Sequence, residues 1–245
     1  MALIEKDVVV TTKHGRMPAF SACPDAPGQF PGIIVYMDAP GFRDELRTMA
    51  RRIAKQGYFC LVPDLYYRYG VIRFDTPRRS EAMSAVIKAA WTSLTNADAT
   101  DDTAGILAFL DAQAQVKAGS VGCVGFCMGG RFAMNVAARF PHRFGAAASL
   151  YGVWLVTDKQ DSPHLLADQI KGEIYYGFAE VDPSVPPNVI PELRACLDRA
   201  GTKHTIEIFP GAKHGFCFPE RPDYHPAAAE QAWARLFDLW DRNLK

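Results

Sequence analysis

A short apolar stretch ending in Val121-Gly122-Cys123-Val124 runs straight into Gly125-Phe126-Cys127-Met128-Gly129-Gly130-Arg131, and a helical pattern follows at once. A strand that becomes a helix within so few residues must pass a tight, strained corner. Such a corner needs small residues two before and two after its tip. Gly125 and Gly129 flank Cys127 in this way, so G-x-C-x-G reads as the thiol form of a nucleophile elbow. Cys127 then stands at a helix N-terminus, where the dipole and free N–H groups favour a thiolate. The Met128 N–H is placed to donate to a developing oxyanion. The plainer alternative is a glycine-rich turn around a buried cysteine. A dinucleotide fingerprint is not matched, because the glycines fall at Gly122, Gly125, Gly129 and Gly130. Cys123 and Cys127 lie too far apart along extended chain to pair as a disulfide.

Strand and helix patterns alternate through the rest of the chain. Residues 7–12 and 17–22 predict an antiparallel hairpin, and residues 32–36 and 58–62 predict two buried strands. Leu46, Met49, Ala50, Ile53 and Ala54 mark a helix between those strands. Residues 80–94 and 104–114 predict helices with a polar connection at 96–100. Strands are then expected at 120–126, 146–151, 173–178 and 204–209, with helices at 131–140, 191–200 and 226–239. This order predicts an α/β fold: a mostly parallel central sheet flanked by helices, with an N-terminal antiparallel hairpin. No repeat or linker interrupts it, so one domain is expected over 1–245. Sites in such sheets lie beyond the carboxyl ends of the strands.

Composition narrows the partners. Lys+Arg and Asp+Glu are both 27, which favours neither nucleic acid nor an anionic membrane. No apolar stretch approaches the roughly 20 residues of a spanning helix. Glu5, Lys6 and Asp7 fall where a signal peptide would be apolar. The six scattered cysteines therefore read as reduced thiols of a cytoplasmic protein. No C-x-x-C or suitably spaced His pair suggests a metal, and no cofactor is implied.

A cysteine nucleophile needs a base and a group to orient it, following in the chain order nucleophile, acid, histidine. Asp182 follows the strand expected at 173–178, and His214 follows the one at 204–209. Each has a plainer reading: Asp182 as a turn residue with Glu180 as a rival acid, His214 as a surface-loop histidine. The other histidines lack this register. Three placements in agreement favour a Cys127–His214–Asp182 triad.

These residues resemble the dienelactone hydrolase family, an α/β-hydrolase branch with a cysteine nucleophile. The resemblance runs from about residue 32 to 239. It rests on Gly-Phe-Cys-Met-Gly-Gly-Arg at 125–131, Tyr151-Gly152-Val153, the Asp182-Pro-Ser-Val-Pro loop, His214-Gly215-Phe216 and Pro63-Asp64-Leu65-Tyr66. It implies Cys127 as nucleophile, His214 as base and Asp182 as orienter, and a second oxyanion N–H at Ala39. It also implies a carboxylate that controls the cysteine's ionisation. That position is held here by Asp38, a methylene shorter than the usual glutamate. One family arginine that binds a substrate carboxylate corresponds to Phe218, with Arg221 nearby; Arg78 and Arg79 are candidates for the other, their plainer reading being solvated surface charge. Tyr66, Tyr151, Phe218, Arg78 and Arg79 are thus the expected substrate contacts, with Tyr67, Trp91 and Trp154 as further candidates for a pocket wall. Phe218 in place of arginine predicts a preference for neutral substrates. The expected activity is hydrolysis of a carboxylic ester or lactone through an acyl-cysteine. The alternatives are an acyltransferase, peptidase or thioesterase on the same fold, or a silent hydrolase fold that holds a ligand. The oligomeric state is not legible.

Overall fold

Val8 and Val10 face inward from a strand whose Glu5, Lys6, Asp7 and Val9 are exposed, and Gly15, with φ 136°, closes the turn behind them. In the computed structural model, which describes all 245 residues, β1 (Leu3–Thr12) and β2 (Gly15–Pro24) pair antiparallel from Leu3↔Pro24 to Thr12↔Gly15. The hairpin arms are longer than their hydrophobic centres because backbone pairing continues past the buried residues. β2 joins β4 (Phe59–Pro63) antiparallel. From there β3 (Gly32–Tyr36), β5 (Val121–Phe126), β6 (Phe144–Leu150), β7 (Glu173–Val181) and β8 (His204–Lys213) continue in parallel. The order across the sheet is β1-β2-β4-β3-β5-β6-β7-β8.

Every residue of β3, β4 and β5 is buried, as expected of central strands covered on both faces. α1 (Asp44–Ala54) and α6 (Pro226–Leu244) pack against the sheet, α1 over β2, β3 and β4 and α6 over β5 to β8. α3 (Asn96–Asp111) and α4 (Met128–Arg139) pack on one another, and α4 also rests on β3, β5 and β6. α5 (Val189–Ala200) lies beside a 3₁₀ turn at Pro163–Gln169. α2 (Glu81–Ser93) is the most exposed helix and buries only Ile87 and Ala90. No helix is long and apolar enough to cross a membrane.

Three expectations need correction. The polar connection at 96–100 is the first turn of α3. Thr95 and Asp98 form a reciprocal capping box, with Thr95 N–H donating to Asp98 Oδ2 at 3.0 Å and Asp98 N–H to Thr95 Oγ1 at 3.0 Å. The inward face of this segment is polar yet buried, so apolar periodicity could not mark it. Asp102 accepts from Arg68 and Tyr67 at 2.7 Å, and Thr103 meets the Tyr36 hydroxyl at 2.7 Å. α4 begins at Met128, three residues before the expected 131, and buries 11 of its 12 residues, which leaves no amphipathic stripe to show its start. β7 and β8 run on to Val181 and Lys213, past Pro210-Gly211, because a register shift between Ala179 and Val181 absorbs the irregularity.

Candidate active site

β5 delivers Cys127 to the corner ahead of α4. The residue has φ 53° and ψ −115°, a conformation that costs a non-glycine residue roughly 1–3 kcal/mol. The corner is held by the Cys127 N–H donating to Leu150 O at 3.0 Å and by Gly130 N–H donating to Cys127 O at 3.0 Å. Its glycines are required by close approach. A Cβ on Gly125 would lie 1.9 Å from Gly129 O, and one on Gly129 would lie 2.3 Å from Tyr36 O. Cys127 is partly exposed, whereas Cys23, Cys60, Cys123 and Cys217 are buried. Burial pushes the Cys123 thiol up, against a smaller opposing contribution from Ala148.

The parallel pairing of β7 with β8 sets Val181 opposite Lys213. The next residue on each strand is Asp182 and His214, so register alone brings these two side by side. His214 Nδ1 lies 2.7 Å from Asp182 Oδ2, and Asp182 Oδ1 accepts from Ser184 N–H at 2.9 Å. The carboxylate is only 2% exposed and the imidazole 20%. Glu180 lies at the surface and spends its carboxylate on Gly211 N–H at 2.8 Å, so the structure brings Asp182, not Glu180, to the ring. Burial works against charge on His214, but its contacts with Asp182 and Cys127 outweigh that and raise its pKa to about 10. The Tyr151 ring sets its edge against the imidazole, with centroids 5.2 Å apart.

Opposite the elbow, the β3 carboxyl end carries Asp38, Ala39 and Pro40. The Ala39 and Met128 N–H groups donate to no acceptor within the protein. For Met128 this follows from its place at the first helical position. Asp38 makes no hydrogen bond with Cys127. It is fully buried and accepts from Arg43 Nη1 at 2.6 Å, from Arg43 Nη2 at 3.2 Å and from Arg221 Nη2. Burial alone would raise its pKa, but the two guanidiniums hold it below the ordinary carboxylate range. The short Asp38 side chain is thus taken up by two arginines and does not reach Cys127. Arg43 was not legible in sequence, since nothing local marks a buried arginine.

Cys127 and His214 open into one cleft of about 440 Å³, walled by Ala39, Trp91, Val153, Trp154, Arg79 and Arg221. The Trp91 and Trp154 rings lie 4.3 Å apart. Among the expected substrate contacts, only Arg79 lines this cleft, with its Nε donating to Ser84 Oγ at 2.9 Å. Arg78 faces solvent and pairs with Asp75. Tyr66, Tyr151 and Phe218 are all fully buried and do not line it. Phe218 packs edge-on against Phe126, and the guanidiniums of Arg43 and Arg221 lie 4.9 and 5.1 Å from its ring centroid. The aromatic ring supports the two arginines from beneath. Phe218 therefore cannot sense substrate charge as its position in the sequence suggests, and Arg221 occupies the cleft wall instead.

Residues 17–244 match the profile of the Dienelactone hydrolase family. The chain is 29% identical over 243 residues to a protein of Synechocystis sp. provisionally named a carboxymethylenebutenolidase, covering 97% of this chain and 96% of that one. A similarly named protein of Methylorubrum extorquens is 30% identical over 244 residues, with coverage of 98% and 81%. A crystal structure from Klebsiella pneumoniae, provisionally titled a dienelactone hydrolase, superposes with a TM-score of 0.88 at 26% identity, covering 99% of this chain and 100% of that one.

Proposed function

Because the chain belongs to the dienelactone hydrolase family and is a hydrolase of the α/β-hydrolase fold, we propose that it cleaves a carboxylic ester or lactone through an acyl-cysteine intermediate. One observation carries this reading. Asp182 holds His214 by Nδ1 at 2.7 Å, which leaves Nε2 for the cleft that Cys127 shares.

With a pKa near 10, His214 carries its proton at neutral pH. Protonated His214 shares the cleft with Cys127 at the N-terminus of α4, and the thiolate is the form of cysteine that acts as nucleophile. The thiolate attacks the carbonyl carbon, and the charge that develops on oxygen falls to the Ala39 and Met128 N–H groups. Collapse of that adduct breaks the carbon–oxygen bond, and His214 gives its proton to the departing alkoxide. In a lactone the alcohol remains tethered to the acyl group. The neutral imidazole then takes a proton from water as the oxygen attacks the thioester, and loss of the thiolate restores the imidazolium–thiolate pair. The six cleft-wall residues named above give mixed apolar and cationic surroundings. Arg43 and Arg221 are balanced together by Asp38 and Glu220, so Arg79 supplies the free positive charge for a substrate carboxylate.

The test compares hydrolysis of a neutral aryl ester and a carboxylate-bearing lactone by the parent protein and by Cys127→Ala. Loss of at least ~10³ in kcat on both substrates, with folding intact, supports the reading. Retained turnover in Cys127→Ala overturns it.

A further inference from the structure

Tyr66 was expected to touch substrate, yet it is fully buried beneath the cleft. Its hydroxyl donates to Ala39 O at 2.7 Å and lies 3.8 Å from Met128 Sδ. One buried phenol thus reaches both residues whose N–H groups stand free beside Cys127. We propose that Tyr66 is a positioning residue that fixes the geometry of the oxyanion pocket by clamping the Ala39 backbone; this rests on the acyl-cysteine reading above.

The Ala39 N–H lies in the plane of the Asp38–Ala39 peptide, and that plane moves with the Asp38–Gly41 turn, which also contains the Ala39–Pro40 peptide. The preceding peptide is held through Asp38 O, which accepts from Gly41 N–H at 2.9 Å. The following peptide is held through Ala39 O by Tyr66. Pro40 lends no N–H of its own and biases Ala39 toward extended backbone. Without the phenol, the Ala39–Pro40 carbonyl has no partner in the protein, and rotation of that segment carries the N–H off its line. The Tyr66 ring is also matched to the turn: a Cβ on Gly41 would lie 2.8 Å from the ring, so glycine admits the tyrosine. Tyr66 is anchored in turn. Its N–H donates to Asp64 Oδ1 at 3.2 Å, and buried Asp64 is held by Arg73 Nη1 at 2.7 Å. β4 lies parallel beside β3, which is why the turn after one strand can brace the turn after the other.

Removing an oxyanion donor outright costs about 10²–10³ in kcat. Loosening one through its support should cost less, about tenfold. Tyr66→Phe removes the hydroxyl and keeps the ring. Two further variants hold the volume constant: 4-fluorophenylalanine at position 66 fills the hydroxyl's place without donating, and 4-aminophenylalanine restores a donor. For each, the burst rate of acylation by p-nitrophenyl acetate, the KM and the rate of Cys127 alkylation by iodoacetamide are measured. Alkylation builds no oxyanion, so it reports the thiolate alone. The proposal expects acylation to fall about tenfold in the phenylalanine and fluoro variants, with KM within twofold and alkylation unchanged, and to recover in the amino variant. Should Tyr66→Phe fail to fold, the fluoro and amino pair carries the same comparison. Full acylation rate in the fluoro variant, or alkylation falling in step with acylation, overturns the proposal. Either result leaves the acyl-cysteine reading standing as long as Cys127→Ala is inactive, whereas an active Cys127→Ala removes that reading independently.

Discussion

Replacing Asp182 by asparagine keeps the shape of the acid and removes its charge. The structure sets the size of the effect. Asp182 Oδ2 lies 2.7 Å from His214 Nδ1, with the carboxylate 2% exposed, so solvent screens the pair little. The contacts to Asp182 and Cys127 overcome burial and lift the histidine from its ordinary 6.5 to about 10, a net preference for the imidazolium on the order of 5 kcal/mol. Asparagine forfeits the Asp182 share and can present an N–H to Nδ1, which selects the wrong tautomer. The expected loss is on the order of 10²–10⁴ in kcat. Two assays follow the change: steady-state ester hydrolysis, and NMR titration of the His214 ring, whose midpoint should fall well below 10 in the variant. A stability signature accompanies it. A group whose pKa is raised by folding contributes its full stabilisation below its unfolded pKa and loses it as pH climbs through the folded one. Urea unfolding of the parent should therefore weaken between pH 6.5 and about 10, and Asp182→Asn should flatten that slope. Glu180→Gln should change neither assay, since Glu180 bonds only Gly211 at the surface. An active Asp182→Asn, or an equal loss in Glu180→Gln, would remove Asp182 from the orienting role.

Phe218→Ala should lower unfolding free energy by roughly 3–5 kcal/mol, read by urea denaturation, while the ratio of kcat/KM between neutral ester and carboxylate lactone stays within twofold. Arg79→Ala should cut kcat/KM for the carboxylate lactone about tenfold relative to the neutral ester, the weight of a charge-assisted hydrogen bond of ~1.5 kcal/mol or more. Thr95→Ala should remove the capping box of α3 at a cost of about 1 kcal/mol, visible in thermal unfolding and absent from kcat.

Geometry that depends on backbone closeness is legible in the sequence. Gly125 and Gly129 announce the corner because any side chain there collides with backbone, and the glycine spacing survives in one dimension. The pairing of Asp182 with His214 is legible because each follows a strand whose apolar pattern is plain, although β7 and β8 end later than that pattern suggests. The cleft wall is not. Phe218 and Arg221 are three residues apart, yet one is core and the other faces the cleft, a difference set by the turns after β8. Likewise, nothing in sequence shows that Arg43 reaches Asp38 or that the Tyr66 hydroxyl turns toward Ala39 and does not line the cleft. Long polar side chains choose their partners through tertiary packing, and a local pattern cannot record that choice.

The most direct test of the acyl-cysteine route is a rapid acid quench of the protein during turnover of a slowly deacylating aryl ester, followed by intact and peptide mass spectrometry. The account predicts one acyl group per chain, on the peptide carrying Cys127, released by hydroxylamine and absent from Cys127→Ala. Turnover with no covalent adduct, or an acyl group on any other residue, would contradict it.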